Sequence, residues 1–133
     1  MIRPGPETCC NLLELYADHN EESYMMSILG RMRAESIPPY LATFERMLRM
    51  YVRLGDCFGM EDLLKSMRAT YVPPDVNAYN AVIEGYAKAK RLHDALNTLQ
   101  HFVFEEDIRP NPATLVTILH ACKLRERCAM LHF

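Results

Sequence analysis

All eight prolines of this 133-residue chain fall into four clusters, and the clusters recur about every 35 residues. Pro4 and Pro6 form the first, Pro38 and Pro39 the second, Pro73 and Pro74 the third, Pro110 and Pro112 the fourth. Proline fixes φ, lacks an N–H and is excluded from helix interiors. The clusters therefore punctuate the chain into equal blocks, each with room for two short helices. A fixed period of this length is the signature of a stacked-repeat protein.

The blocks 6–40, 41–75 and 76–111, with a partial fourth at 112–133, are one unit written three and a half times. Tyr16, Tyr51 and Tyr86 share one slot, which Cys122 takes in the fourth unit. Leu13, Leu48, Ile83 and Leu119 align, as do Leu12, Met47, Val82 and Ile118. In the second halves Leu29, Leu64 and Leu99 align, and so do Met32, Met67 and Phe102. The third block is one residue longer, and the acidic run places the extra residue in a turn near Phe104–Asp107.

Tyr79, Val82, Ile83 and Tyr86 follow i, i+3, i+4, i+7 spacing, the pattern of an amphipathic helix. A short turn at Lys88–Arg91 precedes a second stripe of Leu92, Ala95, Leu96 and Leu99. The second block repeats this, with Gly55 at its turn. No alternating run argues for a strand. The expected fold is an all-α superhelix, a solenoid of antiparallel helix pairs in a single domain. One pair cannot bury its apolar face, so about three stacked units are the minimum.

Half of the residues are apolar, enough for a continuous core through a short stack. Nine methionines and no tryptophan point to an adaptable core. A net charge of −2 excludes a polycation, and no segment approaches a membrane span. Met1–Pro6 is too short and proline-rich for a targeting peptide. A first block that starts almost at residue 1 suggests a processed chain or a piece of a longer array. Five cysteines are odd in number and irregularly spaced, with no Cys-x-x-Cys. His120 and Cys122 are two apart and point to different helix faces, so the expectation is reduced thiols, no metal and no cofactor. Gly-rich phosphate loops, framed nucleophiles and the zinc deaminase signature are all missing, which argues against an enzyme or a small-molecule substrate.

Charge is distributed unevenly. Arg46, Arg49 and Arg53 lie at i, i+3, i+7 on one face of a first helix. Lys88 and Lys90 end the next first helix, and Lys123, Arg125 and Arg127 follow in the fourth unit. Such a row attracts phosphates through Coulomb attraction and counterion release. An ordinary solvated face of mixed charge is the alternative.

The run Tyr79-Asn80-Ala81-Val82-Ile83-Glu84-Gly85-Tyr86, with Leu92-His93-Asp94-Ala95-Leu96 and the closing Ile108-Arg109-Pro110-Asn111, resembles a pentatricopeptide repeat. The fourth unit, read with its lead-in from Pro110 to Cys122, resembles the opening of a longer variant of that repeat. The resemblance covers residues 6 to about 125. The tetratricopeptide repeat has a similar period, but its opening tryptophan is missing here.

The resemblance implies binding of single-stranded RNA, mostly in mitochondria or plastids, with one base read per repeat. In the family the fifth and last residues of a repeat read the base, and the second flanks it. Here the fifth residues are Cys10, Glu45, Asn80 and Val116, and the last are Tyr40, Asp75 and Asn111. The second are Glu7, Ala42, Asn77 and Ala113, where the family usually holds a branched apolar residue. Asn80 with Asn111 is similar to pairs that favour pyrimidines, although Asn80 also reads as a polar residue serving the start of its helix. Glu45 with Asp75 places two carboxylates beside an RNA backbone. Two function classes follow. One is RNA binding within an organellar processing, editing, stability or translation factor. The other is a non-catalytic protein–protein scaffold in an organellar ribonucleoprotein such as the mitochondrial ribosome.

Overall fold

The structure, a computed structural model, describes residues 5–105 and 108–131, with side chains described through residue 120 and at Cys122. Its helices are α1 (Pro6–Asp18), α2 (Glu22–Ala34), α3 (Leu41–Leu54), α4 (Cys57–Ala69), α5 (Val76–Lys88), α6 (Leu92–Gln100) and α7 (Pro112–Leu131). No strand occurs among the described residues. The chain is an all-α solenoid of antiparallel helix pairs. The first helices α1, α3, α5 and α7 pack side by side in one layer, and each second helix packs on its own first helix. No described helix is long and apolar enough to cross a membrane.

One device closes the turn within each of the three helix pairs. The carbonyls of Tyr16, Tyr51 and Tyr86 accept from the amides of Glu21, Asp56 and Arg91 at 2.8, 3.0 and 2.8 Å. The residues in between, Asn20, Gly55 and Lys90, are left-handed with φ of 59°, 71° and 61°. This is the Schellman closure, in which one left-handed residue lets the next amide reach back to an unpaired carbonyl. Between pairs, Met32 and Met67 accept from Ile37 and Val72 at 2.8 and 2.9 Å, across left-handed Ser36 and Tyr71. The aligned tyrosines and methionines thus mark helix ends as well as core positions.

The third pair differs by one residue, and its hydrogen bonds show where. The Ile108 amide reaches the Phe102 carbonyl at 2.9 Å, spanning six residues where its counterparts span five. The extra residue lies inside that interval, which contains the expected Phe104–Asp107. Its described part is helical: His101–Glu105 continues α6 as a π turn, the form an α-helix takes when it absorbs one residue. The expected open turn is corrected to that extent. Glu106 and Asp107 lie outside the described residues.

Leu13, Leu48 and Ile83 are fully buried, and Met25, Met32, Met47, Met50, Met60 and Met67 are core. Leu119, aligned with the first three, is 59% exposed. No element among the described residues packs on its face of α7. The tyrosine slot is not uniform either. Tyr51 and Tyr86 are buried, whereas Tyr16 is half-buried. The Tyr51 hydroxyl donates to Glu22 at 3.3 Å and the Tyr86 hydroxyl to Glu61 at 2.5 Å, each on the preceding second helix. Tyr16 instead stacks on Tyr24 at 5.3 Å.

Candidate nucleic-acid interface

A first helix begins with amides that lack intrahelical partners, so the residue before it is under pressure to supply an acceptor. The last residue of each block stands there. Asp75 caps α5, its Oδ1 accepting from the Ala78 amide at 2.9 Å. Asn111 precedes Pro112, and its Oδ1 accepts from the Thr114 amide at 3.0 Å. Tyr40 holds the same place before α3 and makes no side-chain cap.

Capping fixes the orientation of the Asn111 amide, because only its oxygen can accept from a backbone N–H. The Asn80 Nδ2 on α5 then donates to that same oxygen at 2.9 Å. Buried Thr114 completes a triangle: its hydroxyl donates to Asn80 Oδ1 at 2.5 Å and accepts from the Asn111 amide at 3.2 Å. Asn80 and Asn111 are thus brought together and locked across the α5–α7 seam. Among the described residues, one N–H of Asn80, both side-chain N–H groups of Asn111 and one lone pair on the Asn80 oxygen remain unused. Thr114 was not singled out from the sequence. Its signal was present in Asn111-Pro112-Ala113-Thr114, the spacing of a reciprocal cap between a first residue and the third one after it.

Glu45 and Asp75 are brought together in the same way across α3 and α5. Burial pushes the Glu45 carboxyl above its usual range, and the hydrogen bond and charge of Asp75 push it further, while Arg49 pulls it back. The Glu45 carboxyl therefore holds a proton more readily than it would in water. Cys10 is buried at 2% exposure, so the first block presents no polar side chain at that slot. Val116 is 53% exposed, and Asn77 is exposed on the first turn of α5.

The three arginines of α3 are exposed, and Arg46 and Arg53 are engaged. Arg46 pairs with Asp18 at 2.9 Å, both half-exposed, an arrangement worth at most about 1 kcal/mol. Arg53 donates to the Ala17 carbonyl at 2.8 Å and to Asn20 Oδ1 at 3.1 Å, closing the C-terminal end of α1. There it meets the negative end of the helix dipole. Lys88 pairs with Glu84 at 3.2 Å. Lys90 occupies the left-handed turn after α5. Lys123, Arg125 and Arg127 lie outside the residues whose side chains are described.

The sequence matches the family described as "Pentatricopeptide repeat domain" over residues 2–53 and 62–125, and "PPR repeat" over residues 42–69. A chloroplastic pentatricopeptide repeat-containing protein of Arabidopsis thaliana is 25% identical over 83% of this chain and 22% of its own length. The crystal structure of the pentatricopeptide repeat protein PPR10 from maize superposes with a TM-score of 0.81 at 22% identity, over 93% of this chain and 18% of that one. PPR10 in complex with an 18-nt psaJ RNA element superposes with a TM-score of 0.72 at 22% identity, over 90% of this chain and 17% of that one. The likeness to PPR10 shows the fold. The chain spans about a fifth of the length of these relatives.

Proposed function

The chain belongs to the pentatricopeptide repeat family, and on that premise we propose that it binds single-stranded RNA along its layer of first helices. The Asn80–Asn111–Thr114 triangle carries the reading. Its unused groups are three N–H donors and one lone pair. Cytosine presents adjacent acceptors at O2 and N3, and uracil presents O2 and O4 around one N–H. Guanine presents mainly donors on that edge and adenine a single acceptor. A donor-rich pair therefore selects a pyrimidine. Asn77, exposed one turn away, flanks the base. Arg46 and Lys88 supply phosphate contacts once RNA outcompetes their exposed carboxylate partners, exposed Arg49 supplies another, and Lys90 and Lys123 extend the row. Glu45 with Asp75 reads a base only as a proton-sharing pair. PPR10 was solved with RNA bound, which supports RNA as the ligand class. The curated relative is named chloroplastic, which supports an organellar setting, and within it we assign the chain to an RNA processing, editing, stability or translation factor.

A salt titration against a single-stranded RNA tests this reading. Each phosphate contact contributes about −0.7 to the slope of log K against log salt for single strands. Changing Arg46 and Arg49 to Glu leaves the Arg53 closure of α1 intact. The double variant is expected to lose about 1.4 from the slope. No binding at low salt, or an unchanged slope, overturns the proposal.

A further inference from the structure

A cavity of about 1000 Å³ opens between α2 and α4, on the side of the stack formed by the second helices. The corresponding gap between α4 and α6 holds about 240 Å³. The backbones of α4 and α5 and of α6 and α7 approach closely, whereas α2 meets α3 through long side chains, the Tyr51 hydroxyl reaching Glu22 at 3.3 Å. One wall is a single helical stripe, Glu22, Met26, Leu29 and Arg33, at i, i+4, i+7, i+11. The mouth is rimmed by apolar side chains left in water: Met26 at 42%, Phe58 at 78% and Tyr71 at 92% exposure. Tyr71 is held left-handed at φ 59°, unfavourable for an aromatic residue that packs against so little.

The groove is electrically polar. Along α2 the lining charges run from Glu22 to Arg33, and along α4 from Asp56 and Asp62 to Lys65 one turn further on, so both walls go from acidic to basic in the same direction. Arg33 donates to Ser66 across the gap, so the C-terminal halves of α2 and α4 lie together. Their N-terminal ends, Glu22 and the capping Asp56, share the acidic end. We propose that this groove docks one amphipathic α-helix of a partner protein, laid antiparallel to α2 and α4. Its apolar stripe covers Met26, Leu29 and Phe58. Basic residues in its last turn meet the acidic end, and acidic residues in its first turn meet Arg33 and Lys65. Antiparallel placement also sets its dipole against those of both walls. No strand edge exists among the described residues to receive an extended peptide by sheet extension. None of Asn80, Asn111, Arg46 or Arg49 lines this groove, so it stands independently of the RNA reading.

The test is fluorescence anisotropy of the full chain with three labelled synthetic peptides of about 18 residues, long enough to hold a helix. The first has a Leu/Phe stripe at helical spacing, Glu in the first turn and Lys in the last. The second has those charges exchanged, and the third is proline-rich and extended. The matched peptide is expected to bind about tenfold tighter than the exchanged one, a difference of 1.4 kcal/mol. Changing Met26 and Phe58 to Glu should abolish that binding with helical content and RNA affinity unchanged. Asp62→Lys, at an exposed position, should shift preference toward the exchanged peptide even if the double variant fails to fold. Equal affinity for both charge patterns, no effect of Asp62→Lys, or preferential binding of the proline-rich peptide overturns the proposal.

Discussion

Gly59 sits where an added methyl group would run into the Tyr51 ring. The same slot holds Tyr24 in the first pair, stacked on Tyr16, and Asp94 in the third. There Asp94 pairs with Arg91 at 2.6 Å, and Arg91 lies 5.2 Å over the Tyr86 ring. A stacked ring, a bare backbone and an ion pair thus cover one repeated tyrosine. Gly59→Ala gains about 1 kcal/mol of helix propensity, yet overpacking against a rigid ring costs more. The expected net loss is about 1–2 kcal/mol in chemical denaturation, and a stabilised variant would contradict the packing described. Burial, followed by the neighbouring Glu22 and Glu61, raises Tyr51 and Tyr86 above their ordinary value of 10.0. A raised value means stability that is present below pH 10 and lost as pH rises past it. Tyr51→Phe with Tyr86→Phe should flatten the fall in melting temperature above about pH 10. Glu45 is raised too, so its charge disfavours the fold at neutral pH and not in acid. Glu45→Gln is expected to add up to about 1 kcal/mol at pH 7, shrinking toward nothing as pH falls below about 4. Equal effects at both pH values would remove the proton-sharing account.

The ends of α1 to α5 follow one rule, but the residues obeying it differ. Gly55 is free to be left-handed, whereas Asn20, Lys90, Ser36 and Tyr71 adopt the same conformation with a side chain attached. Lys90→Gly should raise stability by about 1 kcal/mol, while Gly55→Ala should lower it by about as much. Opposite signs in thermal melts are the check. This explains what could be read in advance. Proline clusters and apolar stripes place helices because both act through local backbone sterics and burial. Gly55 was legible as a turn because its residue type matches its conformation. Lys90 was legible as part of the Lys88–Arg91 turn but not as its left-handed residue, since that conformation comes from the Schellman closure around it. The π turn was hidden by an acidic run that resembles a loop. Thr114 was missed because its hydroxyl acts on a neighbouring element, which alignment of apolar positions does not reveal.

At the scale of the molecule, a period sets the neighbours but not how closely they pack. Leu119 aligns with three core residues and is exposed, because burial in a stack needs an element on both sides. The basic residues of α3 and α5 were legible as a row, but not their engagement with Asp18, Ala17, Asn20 and Glu84. The wide α2–α4 groove was not legible at all, since both helices carry normal stripes and only their separation makes it. The RNA reading rests on locked amides at one seam of this stack. The most direct measurement compares low-salt affinities for RNAs differing at a single nucleotide, cytosine, uracil, adenine or guanine, for wild type and Asn80→Ala. Wild type should prefer the pyrimidines by about tenfold, 1.4 kcal/mol, and Asn80→Ala should erase the preference. Equal affinity of wild type for all four RNAs, or a preference that survives Asn80→Ala, would contradict the account.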